Sequence, residues 1–272
     1  MTPQISLLVP FRADPKTPRR ERTWNWLKEY WKHELPDAEI VMGYSRGTMF
    51  SKTAAVNDAA RRAQGNIFVI LDSDCYIRGE MITACAGRIE ESLKRDQGLW
   101  FIPYRRLYRL TEQASDTVLA SSPQDPYRFP IPPDQVDVES TIGSMHGHHF
   151  GAMIQVMPRE AFEYIGGMDT RFKGWGGEDV AFVRALDTVY SKHKTTSNDV
   201  LHLWHPNIGL THKDRMWQGQ VDPRANERLA SRYNAATGDR VRMKALVDEG
   251  TDRPNFATRM ARWVIERVEN LL

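Results

Sequence analysis

Apolar positions along the chain follow two alternating rhythms. Short apolar runs at 5–9, 39–44, 67–71 and 99–103 read as strands. The first is closed by Pro10 and the third by Asp72. Between them, apolar residues recur at helical spacing. Trp24, Leu27, Tyr30 and Trp31 share one side of a helix over 19–33, and Ala54, Ala55, Ala59 and Ala60 give a small-residue face to one over 51–64. Gly65 is expected to stop that second helix in the left-handed conformation usual for a terminal glycine. A third helix spans 81–95. Such alternation predicts an α/β fold, a mostly parallel sheet with helices on both faces.

The rhythm breaks after Arg109. Residues 120–137, with Pro123, Pro126, Pro130, Pro132 and Pro133, read as a long surface loop, ordered when a ligand binds, and as the candidate acceptor element or lid. The pattern then resumes with a strand at 151–157 and a helix at 159–165. A helix at 178–188 turns Val180, Phe182, Val183 and Leu186 to the core, and three more follow at 225–236, 239–248 and 256–271.

Composition narrows the class. Of 272 residues, 41% are hydrophobic, enough for a proper core. Net charge is +2, from 37 basic and 35 acidic residues, so nucleic acid is not the expected partner. Basic residues cluster at Arg19, Arg20 and Arg22 and at Arg105, Arg106 and Arg109. Each cluster reads as a solvated face or as a site for a phosphate-bearing ligand. Cys75 and Cys85 are the only cysteines, which excludes a disulfide framework and a Cys-x-x-Cys zinc site. Met1-Thr2-Pro3-Gln4 lacks the basic and apolar regions of a signal peptide, and no run reaches the ~20 apolar residues that span a bilayer. The expectation is a soluble, cytoplasmic protein.

Two segments carry chemistry. The run Ile67-Phe68-Val69-Ile70-Leu71 stops at Asp72-Ser73-Asp74. Ligands of open α/β sheets gather outside the carboxyl ends of the strands, and paired acids there suit a divalent cation that also holds phosphates. A helix-capping turn is the plainer reading of the same residues. The second segment is Gly166-Gly167-Met168-Asp169, followed by Phe172-Lys173-Gly174-Trp175-Gly176-Gly177-Glu178-Asp179. Trp175 offers a flat face for a sugar ring. Glu178 and Asp179 open a helix, where the dipole favours negative charge, and a carboxylate there can act as general base toward a hydroxyl. Histidines crowd at His146, His148 and His149 and again at His202, His205 and His212. The first group reads as loop or acceptor structure.

In order, these segments resemble the glycosyltransferases with the GT-A fold, nearest to the β-1,4-galactosyltransferase C-terminal type and family 2 enzymes. Val9-Pro10-Phe11-Arg12 is similar to the family's first-strand segment that meets the nucleotide. Phe50-Ser51-Lys52-Thr53-Ala54-Ala55-Val56-Asn57 is similar to the segment that contacts donor base and phosphates. Asp72-Ser73-Asp74 resembles the family's Asp-x-Asp, and Phe150-Gly151-Ala152 stands where the family has Phe-Gly-Gly.

The resemblance implies a Rossmann-like GT-A domain over 1–215, with a nucleotide half over about 1–110, an acceptor half over about 140–215 and a helical C-terminal extension over 216–272. It implies a Mn²⁺ or Mg²⁺ ion held by Asp74, less directly by Asp72, and by His205 with His202 as rival. It places Pro10, Phe11, Arg12, Lys52, Asn57, Asp72 and Ser73 on the donor, a nucleotide diphosphate-sugar with UDP foremost. Gly151, Trp175, Gly176, Gly177 and Glu178 fall on the acceptor, a glycan, protein or other hydroxyl-bearing molecule. Asp179 is the implied base, with Glu178 orienting it or binding acceptor. A related retaining group has Asn after the Glu, so Asp179 favours inversion. A retaining transferase and a non-catalytic carbohydrate-binding protein are the alternatives. The absence of the disulfides found in secreted members agrees with a cytoplasmic, bacterial or viral enzyme.

Overall fold

The computed structural model describes residues 4–15, 17–47, 49–143, 153–174, 176–206 and 224–250. Its central sheet contains β1 (Ile5–Pro10), β2 (Glu39–Gly43), β3 (Ile67–Leu71), β5 (Phe101–Ile102), β8 (Ile154–Pro158) and β9 (Lys194–Thr195), in the order β2-β1-β3-β8-β5-β9. The β1/β2, β1/β3 and β5/β9 pairs are parallel, and β8 runs antiparallel to both its neighbours. Every residue of β1, β3 and β8 is buried. That explains why β3 reads as an unbroken apolar run rather than an alternating one.

A second sheet contains β4 (Cys75–Tyr76), β6 (Arg106–Leu110), β7 (Val138–Gly143) and β10 (Asp199–His202), in the order β4-β10-β6-β7. It meets the first at the Asp72–Asp74 turn, which links β3 directly to β4. Helix α1 (Pro18–Glu34) follows β1 and buries Trp24, Trp26, Leu27, Tyr30 and Trp31. Trp26 stacks on Tyr30 at 5.7 Å, and Tyr76 of the second sheet meets both rings edge-on. Burial of a large apolar side chain contributes about 1.5–3 kcal/mol each, so this cluster ties α1 firmly beside the sheet junction. Helices α2 (Lys52–Arg62) and α3 (Gly79–Leu93) follow β2 and β4.

Several expectations are corrected. Gly65 has no left-handed backbone, and α2 ends at Ala63 in an extended conformation. The glycine is needed there because a Cβ would lie 2.4 Å from Ser6 Oγ. The strand expected over 99–103 is two residues long. Residues 106–143 hold structure that periodicity did not reveal: β6, helix α4 (Glu112–Ala120) and β7. The proline-rich stretch carries local structure of its own. Ser121 accepts from the Trp26 indole at 2.9 Å, Phe129 is buried, and a 3₁₀ turn at Gln135–Asp137 leads into β7. Helix α5 (Arg159–Tyr164) and helix α6 (Glu178–Val189) match their expected places.

At the C-terminal end, α7 (Ala225–Ala236) and α8 (Arg240–Glu249) pack on α6. The helix expected over 256–271 lies outside the described residues, as do Gly151, Trp175, His146, His148, His149 and His212. Among the described residues, no helix is long and apolar enough to cross a membrane.

Candidate active site

The site forms where the two sheets join. Asp72 N–H donates to Met153 O at 2.9 Å, extending the β3 ladder by one bond before the chain turns. Asp74 O then accepts from Leu203 N–H at 2.7 Å, and Cys75 pairs with His202 across β4 and β10. This register delivers both rival histidines to one carboxylate. His202 Nε2 lies 3.6 Å from Asp74 Oδ1, and His205 Nε2 lies 3.2 Å from Asp74 Oδ2. One ligand atom from each of the three residues falls within 4.8 Å of the others.

Asp74 Oδ1 and His202 Nδ1 are buried with no hydrogen-bond partner, an arrangement a protein rarely keeps without a use for it. Burial alone would push the Asp74 carboxyl up. His202, His205 and Arg20 outweigh that and hold it well below the ordinary carboxylate range. Burial pushes His202 down to about 4, against the pull of Asp74. His202 is therefore neutral near pH 7, the state that ligates metals. A carboxylate and two imidazoles fit a divalent cation, and this mixed donor set suits Mn²⁺ better than Mg²⁺.

Asp72 points elsewhere. Lys52, the first residue of α2, reaches Asp72 Oδ1 at 2.6 Å and Asp179 Oδ1 at 2.8 Å. The sequence explains why these groups meet. Ser51 caps α2, its Oγ accepting from Ala54 N–H, and also bridges in parallel to Gly174. The start of α2 is thereby laid against the glycine-rich loop, opposite the start of α6. Burial opposes the Lys52 charge, but Asp179 and Asp72 raise its pKa well above the usual lysine value. Burial pushes Asp72 up to about 7, with Lys52 working against that and Asp179 adding to it.

Gly177 caps α6 with φ of 88°, a left-handed backbone. A Cβ there would also come within 3.0 Å of Ala230 on α7, so glycine serves both the turn and the packing. Glu178 is buried, and its Oε2 accepts from Gly176 N–H at 2.8 Å. Burial, reinforced by Asp179, pushes its carboxyl up to about 7.

Comparison with known proteins meets this geometry. Residues 19–152 match the profile of glycosyl transferase family 2, and residues 142–198 match one described as the N-terminal domain of galactosyltransferase. The chain is a glycosyltransferase. No curated protein sequence matches it. Among solved structures, the catalytic domain of Drosophila β1,4-galactosyltransferase 7 with xylobiose is 16% identical, with a TM-score of 0.41 and 81% of each chain covered. Glucosyl-3-phosphoglycerate synthase from Mycobacterium tuberculosis, solved with Mn²⁺, UDP-glucose and phosphoglyceric acid, is 11% identical. Its TM-score is 0.48, over 87% of this chain and 80% of that one. GalNAc-T7 with UDP, GalNAc and Mn²⁺ is 13% identical at a TM-score of 0.46, over 92% of this chain and 54% of that one.

In the transferase, the remaining candidates fall into place as follows. Pro10 ends β1, and buried Phe11 packs against Trp24 with centroids 6.2 Å apart. Arg12 donates to Gly47 O at 2.9 Å and lies over the Phe50 ring. Ser73 sits in the turn between Asp72 and Asp74. Asn57 is occupied structurally: its amide donates to Met168 O and accepts from Met168 N–H, both at 2.8 Å. This clip pins the glycine-rich segment to α2. Asn57→Ala is expected to cost about 1–3 kcal/mol, because it strands the Met168 donor and acceptor. Urea unfolding checks this, and a loss below ~0.5 kcal/mol would show that the clip does not bear on stability.

Glu178 carries a pH signature. Its folded pKa, about 7, lies above the ordinary 4.5, so the folded state binds the proton more tightly. The cost of its charge is absent below about pH 4.5, grows as pH rises, and is complete above about pH 7. Glu178→Gln keeps an acceptor for Gly176 N–H and removes that cost. Thermal melts should show the variant gaining on wild type by ~1–3 kcal/mol between pH 5 and pH 8. A pH-independent difference would contradict the buried charge.

Sequence reasoning missed several supporting residues. Asn226 on α7 clasps the Lys173 main chain at both N–H and C=O. Tyr233 donates to Asp169 at 2.8 Å, and Arg171 chelates Asp169 while donating to Leu246 O on α8. The C-terminal helices thus hold the loop that presents Glu178 and Asp179. Of the basic clusters, Arg106 pairs with Asp199, and Arg19 pairs with Glu112 and Asp116. Arg20 instead enters the site, 3.5 Å from Asp74 Oδ2 and 3.0 Å from His205 Nε2. Its position after β1, on a helix starting at the carboxyl edge of the sheet, was the available signal.

Proposed function

We propose that the protein transfers a sugar from a nucleotide diphosphate-sugar, UDP foremost, to an acceptor hydroxyl with inversion of configuration. One observation carries this reading. The Asp74, His202 and His205 cluster and the Asp179 carboxylate share one end of the sheet, with Lys52 and Asp72 between them. A donor-side cation site and an acceptor-side base are what direct displacement requires. When bound, Mn²⁺ would offset the charge of the departing diphosphate.

The chain's own residues supply the rest. Pro10, Phe11 and Arg12 lie at the carboxyl end of β1, where a nucleotide would seat. Lys52 and the start of α6 hold the Asp179 carboxylate toward the acceptor, whose hydroxyl proton it takes. Trp175, between Gly174 and Gly176 in sequence, is assigned to stacking on the acceptor sugar. The test is to incubate the protein with Mn²⁺, a panel of α-linked nucleotide-sugars and hydroxyl acceptors, and to determine the product anomer by NMR. A β-linked product supports the reading. An α-linked product overturns inversion, and neither transfer nor donor hydrolysis across the panel overturns the activity.

A further inference from the structure

Arg20 touches the same atoms that would face the cation. An arginine can only donate. The Arg20 guanidinium lies 3.0 Å from His205 Nε2, 3.4 Å from His205 Nδ1 and 3.5 Å from Asp74 Oδ2. His205 Nε2 is itself 3.2 Å from Asp74 Oδ2, so the guanidinium sits against two of the three groups that would hold the metal. A ring nitrogen or carboxylate oxygen that accepts from Arg20 is less free to ligate a metal, and two cations against one carboxylate repel. Arg20 is also built to leave. Its side chain is 42% exposed against 14% for Asp74, so it enters from the solvent side, where a diphosphate would approach.

We propose that Arg20 is a built-in counterion of the cation site, which pairs with Asp74 and His205 when no metal is bound and is displaced when a divalent cation binds. This rests on the metal-dependent reading above. A ligand whose competent state is only partly populated binds with its affinity reduced by that fraction. The guanidinium thus keeps the site from loading Mn²⁺ by itself and favours loading with a nucleotide, whose phosphates can take up the freed arginine.

The experiment measures Mn²⁺ affinity without nucleotide, by the EPR signal of free Mn²⁺, for wild type, Arg20→Met, Arg22→Met and Asp74→Ala. Arg22 is the charge control, since it lies on the same helix and only approaches Asp116, at 3.9 Å. Arg20→Met is expected to bind Mn²⁺ about tenfold more tightly, the effect of releasing a site that is ~90% blocked. Arg22→Met should match wild type. Unchanged or weaker binding by Arg20→Met overturns the proposal, as does equal tightening by Arg22→Met, which would mean a general charge effect. If Asp74→Ala binds Mn²⁺ like wild type, the metal reading fails separately. Thermal melts of each variant identify any that misfold, and Arg20→Lys, which keeps the charge without the planar fork, should lie between wild type and Arg20→Met.

Discussion

Asp179→Asn is expected to fold, to bind donor normally and to lose transfer by about 10²- to 10⁴-fold, the usual contribution of a general base. The amide has the shape of the carboxylate but cannot take a proton. Asp179 is the second residue of α6, within the turn where the helix dipole stabilises negative charge, and Lys52 sits 2.8 Å from its Oδ1. Removing its charge leaves Lys52 paired with Asp72 at 2.6 Å, so the local charge remains balanced and the fold should persist. The measurement is turnover at saturating donor and acceptor, beside Glu178→Gln. Glu178 is the rival, but it is buried and already accepts from Gly176 N–H. Near-wild-type turnover in Asp179→Asn with an inactive Glu178→Gln would move the role to Glu178. Activity in both would end the inverting mechanism.

The sequence made the frame of the site legible because its signals are local. Apolar β3 and the acids after it sit side by side in the chain, and a strand's end is where an α/β sheet offers its ligand edge. The start of α6 was equally plain from its glycines and acids. Pairings across the second sheet were not legible. The segment Arg106-Leu107-Tyr108-Arg109-Leu110 reads as a basic patch, yet it is β6, with Arg106 neutralised by Asp199 from 93 residues away. Nor could spacing choose between His202 and His205, because both reach Asp74 once β10 pairs with β4. The division of labour between Asp72 and Asp74 was equally hidden. They are two residues apart, but one faces a lysine and the other the histidines.

That division gives the second large effect. Asp74→Ala is expected to abolish the gain in UDP affinity that Mn²⁺ provides, whereas Asp72→Ala should leave most of that gain in place. Asp74 is the carboxylate on which His202, His205 and Arg20 converge, and its Oδ1 is buried with no hydrogen-bond partner. Losing even an outer partner of a metal ligand costs about 10- to 100-fold in metal affinity, so loss of the central ligand should cost more. The fold should survive, because Arg20 can turn to solvent and His202 is neutral near pH 7. Asp72 instead answers to Lys52, and its removal should act on the placement of Asp179 and lower turnover. Calorimetric titration of UDP with Mn²⁺ and with EDTA, on wild type and both variants, separates the two roles. Equal UDP affinity of the wild-type protein in both conditions would sink the metal assignment. Equal loss of the Mn²⁺ gain in both variants would instead make the two acids joint ligands, with the Lys52 pair giving way when metal binds.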